Sequence, residues 1–137
     1  MATIKSYTDL EQSKKLAEIL PLESADMYYS RIDAEIDEGK AIAEVLHRRL
    51  SPIDMDVVVP AWSLSVLMDL LPEEITYETE NLDEWEDYKF FFLKENGEYY
   101  IGYEGYNDKQ DFISVSCEYL VDACYEMILK LHELNLL

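Results

Sequence analysis

Tyr88-Lys89-Phe90-Phe91-Phe92-Leu93-Lys94-Glu95-Asn96-Gly97-Glu98-Tyr99-Tyr100-Ile101-Gly102-Tyr103 is the stretch that decides the fold. Two runs rich in aromatic residues, 88–94 and 99–103, flank Asn96-Gly97, the dipeptide preferred in a two-residue type I′ hairpin turn. That turn sets the register. Phe92 falls opposite Ile101 and Phe90 opposite Tyr103 on one face, while Leu93 faces Tyr100 and Lys89 faces Glu104 on the other. Apolar residues on both faces predict two central strands with a cover on each side.

Working outward, Ile75 to Glu78 and Phe112 to Val115 are the expected flanking strands, with a meander turn at Tyr106-Asn107-Asp108. Beyond them, Leu120, Cys124, Met127, Ile128, Leu131 and Leu134 repeat at helical spacing, which predicts a helix over 117–134. Glu118 and Asp122 suit the positive N-terminal end of its dipole. Upstream, Ser63 caps a short apolar helix over 63–71, with Leu64, Leu67, Met68 and Leu71 inward and Pro72 at its end.

The N-terminal part opens with a helix over 8–20, where Thr8 and Glu11 have capping-box spacing and Pro21 stops the helix. Residues 22–60 read two ways. Met27-Tyr28-Tyr29 suits the start of a strand, while Tyr29, Ile32 and Ile36 also repeat at helical spacing. Ile42, Ala43, Val45, Leu46 and Leu50 predict a helix closed by Ser51-Pro52, and Met55 to Val59 an extended run stopped by Pro60. The expectation is one α+β domain over 1–137: an antiparallel sheet of three or four strands around hairpin 88–94/99–103, packed with three to four helices.

Charge narrows the function classes. The chain has 137 residues, 30 acids, 11 bases and a net charge of −19. Residues 61–137 carry −14 of this, and Glu73 to Asp87 holds eight carboxylates with no base. Such a chain lacks the basic surface that direct nucleic-acid binding requires. No apolar stretch reaches the roughly 18 residues of a membrane span, and the N-terminus lacks a secretory layout, so a cytoplasmic location is expected.

Catalytic signals are missing. There is no G-x-S-x-G elbow, no H-E-x-x-H and no glycine-rich phosphate loop in a chain with four glycines. Cys117 and Cys124, if both helical, are about 10 Å apart along the axis, beyond the ~7 Å Cα separation of a disulfide, and their spacing fits no zinc knuckle. His47 and His132 have no ligand-like spacing. The reading is therefore non-enzymatic, with no cofactor and no metal.

Tyrosine is the second anomaly, with eleven in the chain and six of them between Tyr77 and Tyr106. Tyr and Trp offer stiff contact area with a polar tip, which recognition surfaces favour. The expected contact surface is Ile75 to Asp111, with Tyr77, Trp85, Tyr88, Tyr103 and Tyr106 as anchors and Glu78, Glu84 and Asp87 among its carboxylates. The expected function is an intracellular protein-interaction domain with an unidentified protein partner. Its rivals are an acidic nucleic-acid mimic that inhibits a DNA-binding protein, a small-ligand or hydrolytic protein with an acidic Tyr-lined pocket, and a homo-oligomer.

Three stretches carry a resemblance: Tyr7-Thr8-Asp9-Leu10-Glu11-Gln12-Ser13-Lys14-Lys15-Leu16-Ala17-Glu18-Ile19-Leu20-Pro21-Leu22-Glu23-Ser24-Ala25-Asp26-Met27, Pro60-Ala61-Trp62-Ser63-Leu64, and Asp122-Ala123-Cys124 with Leu131-His132-Glu133-Leu134-Asn135-Leu136-Leu137. Together they resemble a group of small uncharacterised proteins of gut bacteria and their phages or mobile elements. The resemblance implies an intracellular bacterial context, and it brings no activity or catalytic residue.

Overall fold

The computed structural model describes residues 5–37, 39, 41–78, 85–106 and 111–137, without the side chains of Glu78, Trp85 and Asp111. Among the described residues, four α-helices and two antiparallel sheets make it an α+β protein. Where one domain over 1–137 is expected, the chain's contacts fall into two compact units, Met1–Met68 and Asp69–Leu137.

In the first unit, α1 (Leu10–Ala17) precedes β1 (Met27–Ser30), α2 (Arg31–Ile36), β2 (Glu44–Val45) and β3 (Val58–Ala61). The strands form a sheet in the order β2-β1-β3. Leu10, Tyr29, Ala43, Val59 and Ala61 are its buried core, with Tyr7, Met27, Ala34 and Ala41 packed around them. The two readings of 27–36 are both realised in succession, strand and then helix.

Several expectations need correction here. Capping of α1 belongs to Asp9 and Gln12, one residue beyond the expected Thr8 and Glu11. Thr8 serves the interior instead. It is fully buried, and its hydroxyl bonds Ser13 Oγ (2.7 Å) and accepts from the Trp62 N–H (3.2 Å). The helix expected over 42–50 does not form. Glu44 and Val45 pair with Tyr28 and Met27, and the Tyr28 hydroxyl donates to the Glu44 carboxylate (2.7 Å). Sheet pairing outweighs local helical periodicity there, and Ile42 and Val45 of the supposed stripe are exposed. The run from Met55 to Val59 is divided between a 3₁₀ turn, Pro52–Asp56, and β3. Pro60 does not stop β3 but lies within it, tolerated because β3 is an edge strand that can spare an N–H.

Trp62 ties these pieces together. It is fully buried, its indole N–H donates to Ser24 Oγ (2.9 Å), and its carbonyl accepts from the Thr8 N–H (3.0 Å). The next N–H, of Ser63, donates to Asp26 Oδ1 (2.8 Å). Two of the stretches that carry the resemblance, 7–27 and 60–64, thus meet at a structural node of satisfied polar groups.

Asp54 anchors the turn before β3. Its carboxylate takes both Nη nitrogens of Arg48 (2.8 and 2.6 Å) and the N–H and hydroxyl of Ser51. The Arg48 guanidinium first, and then the Ser51 N–H, hold this carboxyl well below the usual carboxylate range. A depressed folded-state value stabilises fully above the unfolded Asp value of about 4 and is lost as pH falls below it. Asp54→Asn is therefore expected to lower the thermal midpoint by a few degrees at neutral pH. The gap should narrow as melts are repeated down toward pH ~2, because the contribution is lost fully only below the folded-state value.

In the second unit, β4 (Glu74–Glu78), β5 (Trp85–Glu95), β6 (Glu98–Gly105) and β7 (Asp111–Cys117) form a meander in that order, followed by α4 (Leu120–Glu133). α3 (Leu64–Leu70) spans the boundary of the units in the chain and is capped by Ser63 Oγ, which accepts from the Val66 N–H (3.3 Å). The hairpin register agrees with the sequence reading at Phe92–Ile101, Phe90–Tyr103, Leu93–Tyr100 and Lys89–Glu104. Asn96 and Gly97 both have positive φ (53° and 78°), as the turn type demands. α4 starts three residues later than expected, so Glu118 precedes it and Cys117 ends β7, opposite Tyr99. Val121, Ala123, Cys124, Met127, Ile128 and Leu131 are its buried side chains.

Candidate functional site

The four-stranded sheet has two unlike faces. One carries Ile75, Tyr88, Phe90, Phe92, Tyr99, Ile101 and Tyr103, by register and alternation. α4 lies over this face along β6 and β7. Ile101 and Tyr103 are fully buried there, and the Tyr103 hydroxyl donates to the Pro72 carbonyl (2.7 Å). Burial pushes the Tyr103 hydroxyl well above the usual tyrosine range and the Cys124 thiol up to about 12. A thiol held so high is a core residue rather than a nucleophile.

A bulge reshapes the far end of this face. Tyr103 pairs with Ile113 but Glu104 pairs with Asp111, so Phe112 is the extra residue on β7. Its ring stacks on Tyr88 (centroids 4.6 Å apart) and meets Tyr77 (4.9 Å). Gly105, the ladder partner of Tyr88, has no side chain to obstruct the contact. At the hairpin end, Phe92 stacks on Tyr99 (6.0 Å) and remains 49% exposed, with Lys94 over the Tyr99 ring.

The other face is open, contrary to the expectation of a cover on each side. Glu74, Thr76, Asp87, Lys89, Leu93, Tyr106, Ser114 and Ser116 are exposed on it, while Phe91 and Tyr100 are half-buried. Leu93 is 49% exposed. Phe91 lies across Gly102, whose missing side chain leaves its ring room to lean over β6. Around this apolar centre the polar groups are linked to one another. Thr76 donates to Asp87 (2.6 Å), the Tyr106 hydroxyl donates to Glu74 (2.7 Å), and Lys89 sits 5.8 Å from the Tyr106 ring centre. The bond to Glu74 raises the Tyr106 hydroxyl above its ordinary value.

The expected anchors therefore do not share one surface. Tyr103 must be removed from the contact surface, because its ring completes the core beneath α4. Tyr77 and Tyr88 pack with Phe112 on the covered face, whereas Asp87 and Tyr106 belong to the open one. Glu84 and the side chains of Glu78 and Trp85 lie outside the described residues. Phe91, Leu93 and Tyr100 lie within the expected stretch 75–111 but are not among its expected anchors. Their signal was the apolar pattern on both hairpin faces, which reads as burial when no cover is known.

Among the described residues no group of three His, Cys, Asp or Glu is arranged to hold a metal ion, and no helix is long and apolar enough to cross a membrane. No protein family, curated protein or solved structure matches this chain.

Proposed function

We propose that this chain is a protein-interaction domain without catalysis of its own, and that the open face of the four-stranded sheet is its contact surface. The observation that carries the reading is Leu93, half-exposed beside Phe91 and Tyr100 and surrounded by charged and hydroxyl side chains. An apolar centre with a polar rim is the build of a specific protein interface. At a net charge of −19, two copies repel one another, which favours a different protein with a cationic rim. Glu74 and Asp87 are on the open face and Glu86 on the other, so the reading rests on the apolar centre and not on a row of carboxylates such as a nucleic-acid mimic needs.

The test is affinity capture with the wild-type chain, Leu93→Asp, and Ile53→Asp as an exposed control in the first unit. Leu93→Asp is expected to reduce capture at least ~10-fold with little change in thermal midpoint, and Ile53→Asp to leave capture unchanged. Equal capture by all three proteins would sink the reading.

A further inference from the structure

Lys14, Arg31, Ala34, Glu35 and Val59 line one cavity of about 290 Å³ in the first unit. Its walls come from three elements: Lys14 from α1, Arg31, Ala34 and Glu35 from α2, and the buried Val59 from β3. Arg31 and Glu35 are four residues apart on a helix, the spacing at which opposite charges ordinarily close on each other. They do not. The Arg31 Nε donates to the Met55 carbonyl (2.6 Å), which ties the guanidinium to the 3₁₀ turn Pro52–Asp56. Among the described residues its Nη nitrogens make no hydrogen bond, and neither Lys14 nor Glu35 makes an ion pair.

This leaves two cationic groups and one carboxylate around the same half-open, mainly polar space, to which Ala34 and the buried Val59 add little apolar surface. A simple anion fits poorly: the carboxylate of Glu35 is in the wall, and the whole chain repels negative charge. A cation meets Lys14 and Arg31. A small zwitterion satisfies both signs without adding net charge, and the field of the acidic chain does not oppose its approach. We propose that this cavity binds an α-amino acid, its carboxylate on the Arg31 Nη and Lys14 Nζ donors, its ammonium on Glu35, and its side chain directed to the open mouth. The volume is at the small end for ligand sites, in keeping with a ligand of this size.

The experiment is a ¹⁵N-amide NMR titration of the full chain with L-leucine, and with acetate and methylamine as carriers of one charge each. L-leucine is expected to give saturable shifts at residues 14, 31, 34, 35 and 59. Arg31→Gln and Glu35→Gln should each weaken it at least ~10-fold, since each removes a charge-assisted hydrogen bond. Arg31 also supports the fold through Met55, so Glu35→Gln, an exposed side chain with no ion pair, carries the test if Arg31→Gln unfolds. The proposal is overturned if L-leucine gives no saturable shifts, if acetate or methylamine matches its affinity, or if Glu35→Gln binds as the wild type does.

Discussion

Trp62→Ala is expected to lower the stability of the first unit by about 3–5 kcal/mol, the largest effect of any single truncation in that unit. The side chain is fully buried, so its removal forfeits the transfer of a large aromatic group and leaves a cavity. It also takes the indole donor from Ser24 Oγ. The neighbouring bonds of Thr8, through its N–H and hydroxyl to the Trp62 backbone, survive the substitution chemically but lose the packing that holds them in place. Trp62→Phe separates the terms in part, because it keeps a buried aromatic ring while removing the indole N–H together with the smaller fused ring. Its cost should be nearer ~1–2 kcal/mol. Urea unfolding followed by far-UV circular dichroism, with amide exchange to localise the loss, checks both values. A Trp62→Ala protein as stable as the wild type would show that the node of 7–27 and 60–64 contributes little.

The second large effect is expected at Gly102. A Cβ there would meet the Ile113 carbonyl oxygen, the Phe91 ring (2.8 Å) and the Ser114 Cβ (2.9 Å). Phe91 can swing away, but the Ile113 oxygen belongs to the backbone of the adjoining strand. Gly102→Ala should therefore force β6 and β7 apart, at a cost of about 2–3 kcal/mol. Gly97→Ala is the informative contrast. Nothing lies within 4 Å of its added Cβ, so its penalty comes only from positive φ and should be ~1 kcal/mol. Thermal or urea unfolding of the two variants ranks them directly. Equal losses would mean that space at Gly102 is not limiting. Because Phe91 rests on Gly102, Gly102→Ala should also disturb the open face and weaken partner capture alongside Leu93→Asp.

The hairpin was legible because everything that defines it is local. Asn96-Gly97 chooses the turn, the turn chooses the register, and alternation assigns each side chain to a face. Leu120 to Leu131 was legible for a similar reason, since a helix written over three turns repeats its own signal. The errors arose where two local signals competed or where a distant residue intervened. Thr8 and Asp9 are both acceptable caps, and the Trp62 backbone, 54 positions away, joins Ser13 in holding Thr8 inward. Residues 42–50 carry a helical pattern, yet β1 offers Glu44 and Val45 a strand to join. Cys117 continues the helical run in the sequence but pairs with Tyr99 in the sheet.

The sequence by itself determined the α+β class, the central hairpin with its register, the flanking strands and the concentration of acid and tyrosine in the second half. These follow from turn chemistry, periodicity and composition, which act over a few residues. Only the tertiary structure decided which aromatics are available. α4 covers one face of the sheet and takes Tyr103 into the core, a bulge turns Phe112 onto Tyr88, and Leu93 is left half-exposed on the other face. It also brought Lys14, Arg31 and Glu35 to one cavity. Burial is a property of what packs against a residue, and for these residues the partners come from elements far along the chain.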